Sequence, residues 1–171
     1  MGKMKKYWKG SMLTVGVLLA GCATSLDDAQ EETIASTKTA FFSEEKEQTD
    51  EAAIGSFYLP FGMDIESEET PNNVILESGF STYILFYNDQ EDEGSEAVYE
   101  TLLDDGDVLF SESFVQGNQF GYVVGRQFSE KEYELTVGVG GVKLTTVTSV
   151  GDLSSEASAM MDIVNSFEPA N

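Results

Sequence analysis

Residues 108–150 read VLFSESFVQGNQFGYVVGRQFSEKEYELTVGVGGVKLTTVTSV, and this stretch decides the fold. Val108 to Val115 and Phe120 to Phe128 flank Gln116-Gly117-Asn118-Gln119, a hairpin turn in which glycine and asparagine accept positive φ. Tyr133 to Val139 and Val142 to Val150 pair around Gly140-Gly141 for the same reason. The β-branched run Thr145-Thr146-Val147-Thr148 belongs in a sheet. Four consecutive strands joined by tight turns make an antiparallel meander.

Working outward, Ala157, Met160, Met161, Val164 and Phe167 recur at helical spacing after a cap at Asp152 or Ser154, and Pro169 ends that helix. Upstream, Asp104-Asp105-Gly106-Asp107 is a turn that stops a short helix from Ser95 to Leu103. Val74-Ile75-Leu76 and Tyr83 to Tyr87 form a hairpin near Ser78-Gly79. Before them Phe57, Leu59, Phe61, Met63 and Ile65 alternate with polar or small residues, a strand that Pro60 makes an edge strand or a bent one. The order is β-β-β-α-β-β-β-β-α. It predicts an α+β fold, an antiparallel sheet of six to seven strands with one short and one longer helix packed on it.

Residues 23–53 are rich in Ser, Thr, Gln, Asp, Glu and Ala, with only Ile34 and Phe41-Phe42 breaking the polarity. Low hydrophobicity and negative charge predict a flexible acidic tether over 22–53, leaving 54–171 as the domain. A weak helix around Glu31 to Glu47 is compatible with this composition, and the Phe pair is open to two readings, a dock on the domain or a partner contact.

Lys3, Lys5, Lys6 and Lys9 precede an apolar run from Met12 to Ala20, about nine residues long where a spanning helix needs roughly twenty. The run closes on Leu19-Ala20-Gly21-Cys22, which contains the sole cysteine. This motif resembles the lipobox of bacterial prolipoproteins. The resemblance implies a signal peptide over 1–21, cleavage between Gly21 and Cys22, and a diacylglyceryl group on the Cys22 thiol, often with acylation of its new amine. A thiolate is the nucleophile such alkylation requires. The expected location is the extracytoplasmic face of the cell membrane, held by lipid. No cofactor is expected beyond that covalent diacylglycerol and acyl lipid, and the mature chain has no cysteine left for a disulfide.

The chain carries 31 acidic and nine basic residues, a formal charge of −22. Cleavage at Cys22 would leave five basic residues (Lys38, Lys46, Arg126, Lys131 and Lys143) and every acidic one, and five minus thirty-one is −26. That charge opposes nucleic-acid binding, which needs lysine and arginine against phosphate. It also opposes docking on anionic lipid by charge, so a covalent anchor must do the holding. The acidity itself has two readings, capture of cations or basic ligands, and solvation of an extracytoplasmic surface in a salty or alkaline habitat.

The chain has no histidine, which removes the commonest general base and most zinc and copper sites. Gly138-Val139-Gly140-Gly141 is followed by β pattern, so no helix N-terminus is offered to a phosphate. One ligand pattern stands out. Asp89, Glu91, Glu93, Gly94 and Glu100 fall at positions 1, 3, 5, 6 and 12 of a calcium-loop register, with Glu100 placed for bidentate ligation. Against it, positions 3 and 5 carry Glu rather than the shorter Asp or Asn, position 8 is Glu96, and a strand precedes the loop. The competing reading is a solvated loop entering a helix.

The segment Phe57-Tyr58-Leu59-Pro60-Phe61-Gly62-Met63, with a closing helix on the sheet, is similar to the opening of PsbP-like and DcrB-like extracytoplasmic domains. That resemblance implies a non-catalytic accessory or binding module over residues 54–168. The sequence expectation is therefore a lipid-anchored envelope protein, not an enzyme, that binds an envelope protein or small ligand. The alternative is a calcium-binding lipoprotein using the loop 89–100.

Overall fold

The computed structural model describes residues 25–170; the leader, its cleavage site at Gly21 and Cys22 lie outside the described residues. Helix α1 spans Leu26–Phe41, α2 spans Ala97–Asp104 and α3 spans Leu153–Asn165. Seven strands form one antiparallel sheet: β3 (Met63–Thr70), β4 (Asn73–Ser78), β5 (Ser81–Tyr87), β6 (Val108–Gln116), β7 (Gln119–Gln127), β8 (Glu132–Val139) and β9 (Val142–Ser149). Their spatial order is β3-β4-β5-β9-β8-β7-β6. Thus β6 to β9 make the meander read from the turns, and the earlier hairpin joins it by pairing β5 with β9, Tyr83 opposite Thr146. The α+β fold and the strand and helix order agree with the sequence pattern. Among the described residues no helix is long and apolar enough to cross a membrane.

The main core lies between the sheet and the pair α1 and α3. Leu153, Ala157, Met160, Met161 and Ile163 of α3 are wholly buried against Leu135, Val137 and Leu144. Helix α3 is also tied down by Tyr83, whose hydroxyl donates to Glu156 Oε2 at 2.8 Å. Burial, and then that carboxylate, push the tyrosine hydroxyl well above its ordinary range. On the opposite face α2 covers a smaller cluster of Leu102, Phe120, Tyr122 and Val124.

The expected tether over 22–53 is overturned from Ser25 onward. Ser25 caps α1, its hydroxyl accepting from the Asp28 amide at 3.2 Å. Ala29, Thr33, Thr37, Ala40 and Phe41 are buried, and α1 packs along α3. The physical reason is that threonine can serve as an apolar residue inside a helix. Thr33 and Thr37 donate their hydroxyls to the carbonyls four residues back, at 2.6 and 2.7 Å, and so bury only methyl and backbone surface. Phe41 then seats on Gly121 and stacks on Phe114 at 5.9 Å between ring centroids, while Phe42 is half exposed. The domain begins at α1, not at residue 54.

Two smaller corrections concern prolines. The strand expected through Phe57 to Ile65 breaks into β2 (Gly55–Phe57) and β3, because the Met63 amide donates to the Pro60 carbonyl at 3.0 Å and Gly62 takes φ +86°. Phe61 therefore points to solvent instead of the core. Helix α3 ends at Asn165, before Pro169, which lies in a two-residue strand β10 (Glu168–Pro169). Strands β1 (Asp50–Ala52), β2 and β10 form a small second sheet that pulls the C-terminal tail under the domain.

Only two ion pairs form among the described residues, Lys46–Asp162 at 3.9 Å and Arg126–Glu134 at 3.2 Å. Burial raises the Asp162 carboxyl above its ordinary range, and Lys46 offsets part of that rise. So acidic a surface repels itself. Raising NaCl from about 10 mM to 1 M shortens the screening length from roughly 30 to 3 Å. The urea midpoint of unfolding should rise across that range; a midpoint that falls would show that attractive pairs dominate the surface.

Candidate functional site

At one rim of the sheet, where β5 ends, β7 begins and β8 turns into β9, three chain segments enclose a cleft of about 480 Å3. The loop Asp89–Glu93 forms one wall, the turn Val139–Val142 the floor, and Val164 to Pro169 the other wall. Its size is that of a small-molecule site.

The loop is held in place by backbone bonds. The Asn88 amide donates to the Gly141 carbonyl at 2.9 Å, the Gly141 amide to Asp92 at 3.2 Å and the Phe120 amide to Glu93 at 2.8 Å. Gly140 and Gly141 make this approach feasible. A Cβ on Gly141 would stand 2.8 Å from the carbonyl oxygens of Asn88 and Glu91, and one on Gly140 would overlap the Asp92 carbonyl oxygen. The tail is held by β10 and by the Ala170 amide, which donates to Ile54 at 3.1 Å. It presents Phe167, whose ring lies 5.0 Å from that of Tyr87 at the end of β5.

Asn165 lies at the seam between this cleft and an adjoining hollow bounded by Phe41, Glu44 and Glu45. It is only 8% exposed. Its Nδ2 donates to the Phe41 carbonyl at 3.5 Å, while its buried Oδ1 has no hydrogen-bond partner. An unpaired buried acceptor costs about 1–3 kcal/mol, so the site stores an unmet demand for a donor. The cleft lining as a whole carries carboxylates, amides and carbonyls but no lysine or arginine.

The proposed calcium register is not assembled into a ligand cage. Glu91 accepts from the Ser95 hydroxyl, Glu93 from the Asn118 side-chain amide, and Asp89 from Gln90 Nε2 at 2.9 Å. Glu100 stands apart on α2, exposed. Among the described residues no three acidic side chains are gathered as a metal would need. The loop's role in this fold is to wall the cleft, because backbone bonding to the β8–β9 turn spreads its carboxylates along the rim.

A second groove, about 340 Å3, lies on the sheet face beside α2. Lys143 stands 5.5 Å from the centroid of the Phe86 ring, and burial pulls its ammonium below the ordinary lysine range, with Glu134 opposing. Arg126 in the same groove is committed to Glu134 and to the Leu102 and Gly106 carbonyls, latching α2 to the sheet.

No protein family's model matches this chain, and no curated protein is significantly similar to it. The cleft's chemistry therefore stands on its own residues. Asn165 was within reach of the sequence: it is four residues after Met161 and eight after Ala157, a polar amide on the apolar stripe of α3. The cleft as a whole carried no sequence signal, since its walls come from segments dozens of residues apart.

Proposed function

We propose that this chain is a lipid-anchored, non-catalytic binding module of the cell envelope, and that its cleft takes a small organic ammonium ion with an apolar body. The observation that carries the reading is Asn165: a buried amide oxygen without a partner, bordering a cleft lined by acceptors. An N–H donor reaching Asn165 Oδ1 would relieve that cost. The carboxylates of Asp89, Glu91, Asp92 and Glu93 favour a positive charge, and Tyr87, Val142, Val164 and Phe167 offer apolar and aromatic surface to the remainder. Anchoring through Cys22, with cleavage after Gly21, supplies the location, and the envelope face is where such a ligand would be met. The same acidic balance argues against nucleic acid as a partner.

Titration calorimetry of the full chain with phenethylammonium, and with phenylacetate as the matched anion, tests the cleft. Binding of the ammonium only is expected, weakened at least tenfold by Asn165→Leu, which keeps the branched heavy-atom outline and removes the acceptor along with the Nδ2 donor. A tenfold loss corresponds to about 1.4 kcal/mol. Equal heats from cation and anion, or an affinity untouched by the substitution, would overturn the reading. Calcium alone, titrated into the same chain, tests the alternative role of the 89–100 loop: that role requires saturable heat that is lost in Glu100→Gln, and no heat at millimolar metal rules it out.

A further inference from the structure

The rim of the sheet opposite the cleft carries a set of exposed phenyl rings. Register places the start of β3, the β4–β5 turn, the end of β9, the β7–β8 turn and the start of β6 along this one rim: Met63 lies opposite Ser78, Ser78 opposite Ser81, Glu132 opposite Ser149, and Val108 opposite Arg126. Phe61 precedes β3, Phe80 is the tip of the β4–β5 turn and Phe128 opens the β7–β8 turn. Phe61 and Phe80 are fully exposed and Phe128 mostly so. A folded domain gains nothing by holding three phenyl rings in water along one edge.

The chain's own course says what covers them. Ser36 Oγ donates to the Ser154 carbonyl at 2.9 Å and Asn165 Nδ2 to the Phe41 carbonyl at 3.5 Å, so α1 runs in the same general direction as α3; the start of α3 is level with Glu32 to Ser36, and the first turns of α1 extend past it on the side of the phenyl rim. Cys22 lies four residues before Leu26, a covalent reach of at most about 14 Å. We propose that this rim seats on the bilayer, with Phe61, Phe80 and Phe128 entering the interface between headgroups and acyl chains. The seat rests on the reading of Cys22 as the lipid anchor, and it turns the loose tether of the sequence pattern into a short leash. Interfacial aromatic rings are favoured at that depth. Asp27, Asp28 and Asp152 near the same rim oppose anionic lipid, so the surface it fits is zwitterionic. The seat points the cleft outward, one strand length away, about 24 Å for the seven residues of β5.

The test uses the sole tryptophan, Trp8, which lies in the leader. The processed chain is thus free of tryptophan, and single reporters can be placed by Phe61→Trp, Phe80→Trp and, at the opposite rim, Val115→Trp. Each full-length variant is expressed, recovered from membranes and reconstituted in phosphatidylcholine vesicles containing a brominated lipid. Intact mass reports acylation in the same sample. The expected result is an acylated chain in which the Phe61→Trp and Phe80→Trp variants show blue-shifted emission, quenched several-fold more than that of the Val115→Trp variant. An acylated chain with equal quenching in all three variants overturns the seat and leaves the anchor standing; the phenyl rim would then belong to a protein partner. A processed chain without acyl mass overturns the anchor reading and the seat together.

Discussion

Phe41→Ala should destabilise the domain by about 3–5 kcal/mol, read as a fall in the urea midpoint of unfolding followed by circular dichroism. The ring is 1% exposed, rests on Gly121, stacks on Phe114 and meets Phe42 edge-on at 5.1 Å. Truncation removes the contact that closes the C-terminal end of α1 onto β6 and β7. The cavity also adjoins Asn165, whose Nδ2 donates to the Phe41 carbonyl, so the cleft loosens with it. Phe42→Ala is the control: that side chain is half exposed and should cost well under half as much. The comparison is decisive for the organisation of the chain. If residues 22–53 behaved as a tether, both substitutions would leave the midpoint unchanged.

Why α1 escaped a reading by hydropathy is visible in its composition. A helix is ordinarily recognised by leucine, isoleucine and methionine at helical spacing. The buried face of α1 is Ala29, Thr33, Thr37 and Ala40, small residues that bring its backbone close to α3, with hydroxyls satisfied inside the helix itself. Acidic residues at Asp27, Asp28, Glu31 and Glu32 occupy the solvent side and dominate the average. By contrast, β6 to β9 were legible because two of their tight turns carry glycine and their strands are rich in β-branched and aromatic residues. Glycines hidden in those strands have a further use that no pattern reveals. Gly121 and Gly125 are seats for the Phe41 and Phe110 rings, and Gly138 for Tyr122. Proline marks a bend at Pro60 and a helix end near Pro169, and each does more than that: Pro60 turns the chain far enough to break the strand and expose Phe61, and Pro169 lies in the small sheet's edge strand, where the missing N–H costs little. The candidate site was legible only at its acidic loop, and there for another reason, since the carboxylates spaced for a metal are spread by the loop's bonding to the β8–β9 turn.

That bonding makes Gly140→Ala the substitution with the greatest effect on the cleft. Gly140 holds φ +52°, a left-handed conformation that costs an L-residue about 1–2 kcal/mol. The added Cβ would also overlap the Asp92 carbonyl oxygen, a rigid backbone atom with no rotamer by which to escape. The two penalties have different remedies. The turn can bear its strain because β8 and β9 remain paired on both sides, from Val139 opposite Val142 outward. The overlap is relieved only if the loop withdraws, and withdrawal breaks the bonds that Asn88, Gly141 and Phe120 make across the seam. The domain should therefore stay folded, with stability lowered by about 1–3 kcal/mol, while the loop detaches. Amide exchange at Asn88, Phe120 and Gly141 should accelerate sharply, with Leu135 and Val137 in β8 keeping their protection. Ammonium binding in the cleft should be lost with the wall. Substitution of Gly117, which also has positive φ but meets nothing within 4 Å, should carry the strain alone and leave both the loop amides and the binding intact. If Gly140→Ala kept the loop protected, the close approach of Asp92 to the turn would not be what builds the cleft.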